Sequence, residues 1–413
     1  MSKYKSKFLQ ESEKRGFLNQ YTNIEILDEK LCSGVPVVAY WGTDPTSDSL
    51  HVGHLFSLMT VRLFQKCGNK PIMLVGGSTG LIGDPSGRDT SRPMITKEKI
   101  ESNKDGIKKS LSKFLTFGDG PTDAIMVDNY DWCGKLNWVD FLRDIGPHIS
   151  INKMLTMDSV KTRLSKEEHM SFLEFNYMVM QAYDFYHLNR TYNCTLQFCG
   201  ADQWGNAVAG IDLIRRMQFV NDLSQQDVHV MTSPLLSDKS GRKVGKTAGN
   251  AIWINEDKLS DYDYYQYFRN IDDDDIEKFL KIYTDFELDE ILKIIELKEP
   301  NEAKKILAFE TTKLCRGENV AKSISEQAKA IFEDNSLDAL PVLDYDLNLG
   351  ETVAKMLFNL KLSDSIGDAK REIQGGSVKI NDVKVVDISQ AIGEDEFKLT
   401  VGKKKRYLIK IKK

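Results

Sequence analysis

The chain lacks the features that would narrow its class at once. Its 413 residues hold no apolar run long enough to span a bilayer, so no membrane-spanning helix is expected. The opening residues, Met1-Ser2-Lys3-Tyr4-Lys5-Ser6-Lys7, lead into no apolar stretch, which argues against a secretory signal. Glu11 and Glu13 speak against a transit peptide. Cysteine is scarce: Cys32, Cys67, Cys133, Cys194, Cys199 and Cys315 are all there is, with no Cys-x-x-Cys spacing. That gives no support for structural zinc and fits a reducing compartment, so a cytoplasmic protein without a metal site is expected. Internal repeats and low-complexity segments are missing too. The net charge of −5 argues against a surface built wholly for nucleic acid.

What is present points to several parts. A chain of this length suggests two or three domains, and a composition of 41% hydrophobic and 28% charged residues is ordinary for a soluble globular protein. Charge is unevenly spread. Residues 255–349 carry 12 Lys and Arg against 24 Asp and Glu, a net of −12, whereas 350–413 carry 14 against 9, a net of +5. The basic end is where a polyanion is expected to bind.

Over the first 250 residues short apolar segments alternate with amphipathic ones. Strands are expected near 35–40, 71–75, 124–127 and 195–199, and helices near 55–67 and 203–217. Such alternation predicts an α/β fold with a doubly wound parallel sheet, whose ligands bind at the carboxyl ends of the strands. From 261 to about 332 apolar residues recur at helical spacing only, and Asp272 to Asp275 read as a helix entry. The division expected is a catalytic domain over 1–254, a helical domain over 255–334, a linker over 335–349 and a small α+β module over 350–413. Within the last, helices are expected near 352–360 and 368–374 and strands near 378–380 and 407–411.

Two distant segments carry chemistry. In Asp44-Pro45-Thr46-Ser47-Asp48-Ser49-Leu50-His51-Val52-Gly53-His54, two histidines three apart open a helix and share a face. Imidazole donors beside free helix amides suit phosphate oxygens, and Gly53 lets the backbone approach a nucleotide closely. The second segment is Lys243-Val244-Gly245-Lys246-Thr247, between Gly241 and Gly249. Two lysines and a threonine on a turn-prone loop can close over a triphosphate and stabilise charge on departing pyrophosphate.

In this order the two segments resemble the signatures of class I aminoacyl-tRNA synthetases. Over nearly its whole length the chain resembles the tyrosyl-tRNA synthetases of bacterial type. Matching segments include Asp84-Pro85-Ser86-Gly87, Asn129-Tyr130-Asp131-Trp132, Tyr177 to Phe185 and Asp202-Gln203-Trp204-Gly205-Asn206. The resemblance implies a Rossmann-like core, ATP as substrate with Mg2+ on its phosphates, and tyrosine and its tRNA as partners in a homodimer. It implies that Tyr40 and Asp184 hold a substrate phenol, that Asp84, Tyr177 and Gln181 hold its ammonium, and that Gln203 faces its carboxylate. Asp44, Gly53, His54, Ser57, Asp202 and Lys246 would contact ATP. Thr46, His51, His54, Arg88, Arg92, Lys243, Lys246 and Thr247 would act on the phosphates. The residues agree with this on their own terms. Tyr177, Gln181 and Asp184 lie at i, i+4 and i+7 on one helix face, and need partners if buried. Either a zwitterionic phenol or an internal polar network would supply them.

Near the C-terminus, residues 364–381 resemble a small RNA-binding module first named for a ribosomal protein, with Lys370 and Arg371 beside Gly375-Gly376. Three positions depart from the family pattern: Trp41 where a small residue is common, Cys199 where glycine is common, and Val244 in place of an aromatic. The rival readings are a tryptophanyl synthetase, a nucleotidyltransferase that makes a dinucleotide cofactor, and a non-catalytic RNA-binding paralogue.

Overall fold

The structure, a computed structural model, describes residues 2–84, 95–167, 169–235, 246–247, 250–297, 299–332, 338–347, 351–402 and 405–412. It forms two compact units. The first comprises Met1–Val244, Trp253–Lys258 and Glu277–Leu292, and the second Gly245–Ile252, Leu259–Ile276 and Lys293–Lys413. These bounds cut across a division at 254/255.

The first unit is built on five parallel strands: β1 (Val38–Thr43), β2 (Lys70–Val75), β3 (Ile125–Asp128), β4 (Leu196–Gly200) and β5 (His229–Ser233). Their order is β3-β2-β1-β4-β5. The order reverses between β1 and β4, which pair through Ala39↔Leu196, Tyr40↔Gln197 and Trp41↔Phe198. A crevice opens at such a reversal, at the carboxyl ends of the strands. The predicted doubly wound α/β core is therefore present. β5 was not anticipated. All five of its residues are buried although it lies at the edge, because the N-terminal segment covers it. Asn19 N–H donates to Thr232 O (3.0 Å) and Thr22 N–H to Val230 O (3.1 Å). An uncovered edge would invite pairing with another chain.

Packing fixes the helices that carry the motifs. The helix Val52–Lys66 is held to β4 and to the helix Lys7–Arg15 by edge-on contacts among Phe8, Phe64 and Phe198, with centroids 5.1–5.9 Å apart. Each such pair adds about 0.5–1.5 kcal/mol beyond its buried area. The helix Phe172–Tyr192 starts at a capping box between Ser171 and Glu174 and ends at Asn193, whose left-handed φ of 55° stops it. It packs closely on the helix Trp204–Val220 because Gly210 has no side chain; a Cβ there would lie 3.0 Å from Phe185 Cδ1. Arg15 donates to the carbonyls of Lys281, Thr284 and Phe286, and Arg62 pairs with Asp285 at 2.7 Å. These bonds explain why residues 277–292 belong to the first unit.

In the second unit two short strands, β6 (Lys246–Thr247) and β7 (Asn250–Ala251), pair antiparallel. The helices Asp261–Arg269, Pro300–Arg316 and Glu318–Phe332 follow the expected helical pattern. A second sheet of order β10-β9-β11-β12-β8 contains β8 (Val342–Asp346), β9 (Val378–Ile380), β10 (Val383–Lys384), β11 (Glu396–Val401) and β12 (Lys405–Lys412). It buries Met356, Leu357, Ile373, Leu399 and Ile409 under the helices Val353–Asn359 and Ile366–Gln374. The stretch expected to be only a linker thus supplies a strand, β8, paired parallel with β12. Tyr407 donates to Asp263 (3.1 Å) and Arg406 to Ile331 O (3.1 Å), tying this sheet to the helices of its own unit.

Candidate functional site

The histidine turn leaves β1 and enters the helix Val52–Lys66. His51 is its N-cap: its Nδ1 accepts from the Gly53 N–H (3.0 Å), while His54 Nδ1 accepts from the His51 N–H (3.3 Å). The rings stack with centroids 3.9 Å apart. A ring nitrogen that accepts from an amide carries no proton, so in the neutral ring the proton is on Nε2. Each histidine thus offers an Nε2–H as a donor. The turn is braced from behind. Asn103 donates to Pro45 O (2.8 Å), and the buried Asn255 donates to Asp48 O (3.1 Å) and Gly106 O (2.9 Å). Ser57 shares a hydrogen bond with Ser233 at 2.8 Å, whereas Thr46 is exposed.

Deeper in the sheet lie the two groups expected at a phenol. Tyr40 is 2% exposed and packs against Phe185, and its hydroxyl has no hydrogen-bond partner among the described residues. Asp184 is equally buried. Its Oδ2 accepts from Asn129 Nδ2 (2.9 Å), and its Oδ1 accepts from Trp132 Nε1 (2.8 Å) and, more weakly, from the Cys133 thiol (3.7 Å). Burial nevertheless outweighs these bonds and pushes the carboxyl up to about 7. The Tyr40 phenol is raised well above its ordinary range by burial first and by the charge of Asp184 next. The Asp184 carboxylate thus lies near enough to act on the Tyr40 phenol.

Toward the strand ends a second network forms. Tyr177 donates to Asp44 Oδ2 (3.0 Å), and Thr79 to Asp44 Oδ1 (2.7 Å). A Cβ at Gly76 would fall 2.1 Å from Asp44 Oδ1, so a side chain there would push Asp44 out of this network. Gln203 donates to Asp84 Oδ2 (2.7 Å), and Asn206 donates to both Gln181 Oε1 (3.1 Å) and Gln203 Oε1 (3.0 Å). The Tyr177 phenol is also held far up, by burial and then by the charges of Asp44, Asp84 and Asp184. Such an arrangement suits a ligand with a cation at one end and a hydroxyl at the other.

The structure thus gathers Asp44, Asp84, Tyr177, Gln181, Asp184 and Gln203 into hydrogen-bonded networks, and leaves the buried Tyr40 hydroxyl outside them. Asn129, Trp132, Thr79 and Asn206, which hold the carboxylates and amides in place, had no role in the sequence reading. Asn129, Trp132 and Asn206 were signalled only by membership of matching segments, and Thr79 lies in none of them. Asp202 is exposed in the turn Ala201–Gln203, and Gly53 lies in the histidine turn. Trp41 and Cys199 are both buried. Arg88, Arg92, Lys243 and Val244 lie outside the described residues, and for Lys246 and Thr247 only the backbone pairing in β6 is described. Lys370 and Arg371 are exposed on the helix Ile366–Gln374, where Arg371 pairs with Asp368. Among the described residues no helix is long and apolar enough to cross a membrane.

Residues 33–333 match the family model of the class I tRNA synthetases (W and Y). The chain is 47% identical to the tyrosine–tRNA ligase of Rickettsia bellii over 416 residues, which cover 98% of this chain and 100% of that one. It is 46% identical to the corresponding ligase of Rickettsia rickettsii over 417 residues, with the same coverage. Among solved structures it is similar to a C-terminally truncated mitochondrial tyrosyl-tRNA synthetase of Aspergillus nidulans. That match has a TM-score of 0.71 and 29% identity, covering 80% of this chain and 95% of that one.

Proposed function

The chain belongs to the class I tRNA synthetases of the tryptophan and tyrosine family, and within it to the tyrosine–tRNA ligases; from that premise we propose how its own residues do the work. The reaction attaches tyrosine to tRNA with ATP as co-substrate. Tyr40 and Asp184 hold the phenol of tyrosine. The observation that carries this assignment is the buried Tyr40 hydroxyl, which has no partner among the described residues. A buried hydroxyl left unmatched is costly, and a substrate phenol would match it. An indole has no group that both Tyr40 and Asp184 could bond in this way, which disfavours tryptophan. Asp84, Tyr177 and Gln181 receive the ammonium, with Asp44 adding its charge, and Gln203 faces the carboxylate.

Activation is then a matter of position. The tyrosine carboxylate attacks the α-phosphorus of ATP and pyrophosphate leaves, so no covalent enzyme intermediate is needed. Asp44, Gly53, Ser57 and Asp202 contact ATP. The Nε2–H groups of His51 and His54, with Thr46, Arg88, Arg92, Lys243, Lys246 and Thr247, stabilise charge that grows on the phosphates. Mg2+ arrives as part of the nucleotide substrate. The adenylate passes tyrosine to the tRNA, which is held by the helical region and by Lys370 and Arg371. A cytoplasmic location agrees with the six free cysteines. A homodimer agrees with the exposed apolar side chains of Trp138, Val139, Leu142, Ile151 and Phe172, of which Trp138 and Phe172 lie ring to ring, 6.5 Å between centroids. Sedimentation of a Phe172→Glu variant tests the dimer.

Pyrophosphate exchange with each amino acid tests the main reading. Exchange should require tyrosine, and Asp184→Asn should lose most of it. Equal exchange with tryptophan, or an Asp184→Asn enzyme of full activity, would overturn the assignment.

A further inference from the structure

Trp132 lies on a helix of a single turn, Tyr130–Cys133, which follows β3. A helix that short has almost no hydrogen-bond ladder to hold it, so side-chain contacts set where the indole lies. Trp132 makes two contacts with the helix Phe172–Tyr192. Its Nε1–H donates to Asp184 Oδ1 at 2.8 Å. Its face lies flat on the imidazole of His187, with centroids 4.3 Å apart and planes within 15°. His187 is three residues beyond Asp184, so the two project from the same side of the helix. Thr191, one turn further on, brings its Oγ1 to 3.4 Å from His187 Nε2 and steadies the ring.

We propose that His187 is a positioning residue for amino-acid selection: its ring fixes the Trp132 indole so that the indole N–H holds the Asp184 carboxylate toward the substrate phenol. The proposal rests on the reading of Tyr40 and Asp184 as the phenol partners. His187 touches neither the phenol nor the reacting atoms and acts through Trp132. Without the flat ring beneath it, the indole can tilt, and the 2.8 Å bond to Asp184 lengthens. The carboxylate then loses one of its two strong donors and, with it, its fixed direction. Burial holds His187 below its ordinary range, so the ring is uncharged near neutral pH and the contact is one of stacked faces. Another flat ring should therefore substitute for it.

The test compares His187→Ala, His187→Phe and Trp132→Phe with Tyr40→Phe and Asp184→Asn in pyrophosphate exchange, with tyrosine and phenylalanine as substrates. Stacked pairs of this kind are worth a factor of roughly two to twelve. His187→Ala should raise KM for tyrosine by that factor and change kcat by less than about two-fold, because phenol binding is remote from the attacking carboxylate. Phenylalanine makes no phenol bond, so the preference for tyrosine should fall by the same factor. His187→Phe should restore KM. Trp132→Phe keeps a ring but removes the N–H, and should lose at least as much preference as His187→Ala. Should His187→Ala fail to fold, His187→Phe and Trp132→Phe decide the matter. Full preference in His187→Ala or Trp132→Phe would overturn the role of His187. So would a His187→Phe enzyme as impaired as His187→Ala. If Tyr40→Phe and Asp184→Asn lose preference in those cases, the phenol site stands and only His187 falls. If these two also keep full preference, the phenol assignment fails first.

Discussion

Replacing Tyr40 by phenylalanine should stabilise the substrate-free enzyme while impairing its recognition of tyrosine. The ring stays, and with it the contact to Phe185 at 5.4 Å between centroids. Only the hydroxyl goes, and that hydroxyl is buried without a partner among the described residues. Burying an unmatched hydroxyl costs about 1–3 kcal/mol, so its removal should stabilise the first unit by roughly 1 kcal/mol. For a unit of this size that corresponds to a rise in Tm of about 2–4 °C. Bound tyrosine reverses the balance, because the variant then lacks one hydrogen bond, worth about 0.5–1.5 kcal/mol. The specificity constant for tyrosine should fall by about two- to twelve-fold, and that for phenylalanine should hold. Calorimetry with and without tyrosine, beside pyrophosphate exchange, reads both effects. A variant that melts below the wild type in the absence of tyrosine would refute the argument from the unmatched hydroxyl. Undiminished preference for tyrosine would refute the placement of the phenol.

Asp184 should impose a pH dependence. Its carboxyl is pushed up to about 7 by burial, so the folded state favours the protonated form. The stability this group gives is full below its unfolded pKa of about 4 and is lost as pH rises through about 7. A phenol donates best to the ionised form, so KM for tyrosine should fall between about pH 6 and 8; Asp184→Asn should flatten both trends. Lys243→Ala and Lys246→Ala should slow adenylate formation in single turnovers with little change in tyrosine affinity, since contacts made mainly in the transition state affect rate; weaker tyrosine binding at an unchanged rate would count against the loop's role. The pair Lys370→Ala and Arg371→Ala should spare pyrophosphate exchange, weaken tRNA binding, and lower the salt dependence of that binding by about one unit of slope per residue; an unaltered slope would remove both residues from the interface. Gly76→Ala should displace Asp44 from Tyr177 and raise KM for tyrosine several-fold, because a Cβ would meet Asp44 Oδ1 at 2.1 Å.

Local regularities were legible in the sequence, and closures between distant segments were not. Period and composition located β1 to β4 within a few residues and placed Tyr177, Gln181 and Asp184 on one helix face. β5 and β8 escaped because neither shows a pattern of its own. β5 is buried by an N-terminal segment some 210 residues away, and β8 is a strand by virtue of pairing with β12. The same limit applies within the site. The helix spacing shows that Asp184 needs partners, but Asn129 and Trp132 lie 55 and 52 residues away, and nothing local joins them to it. Tyr177 is a sharper case. As a residue of a matching segment it reads as a ligand for an ammonium, yet in the folded chain it also donates to Asp44, 133 residues earlier.

That last bond bears on why the site selects what it does. Asp44, Asp84 and Asp184 all act on the Tyr177 phenol, so three carboxyl groups lie around one buried ring. Thr79, Tyr177, Gln203, Asn129 and Trp132 are neutral donors to their oxygens. Burial nevertheless keeps the Asp184 carboxyl raised. On the proposed assignment, a zwitterionic amino acid brings its ammonium to the carboxylates at one end and, if it is tyrosine, a hydroxyl to Tyr40 at the other, where the Tyr40 hydroxyl is buried without a partner among the described residues. A ligand that makes only one of these contacts gains only part of the binding energy, so on that assignment carboxylates, neutral donors and one unmatched hydroxyl together select for both length and hydroxyl.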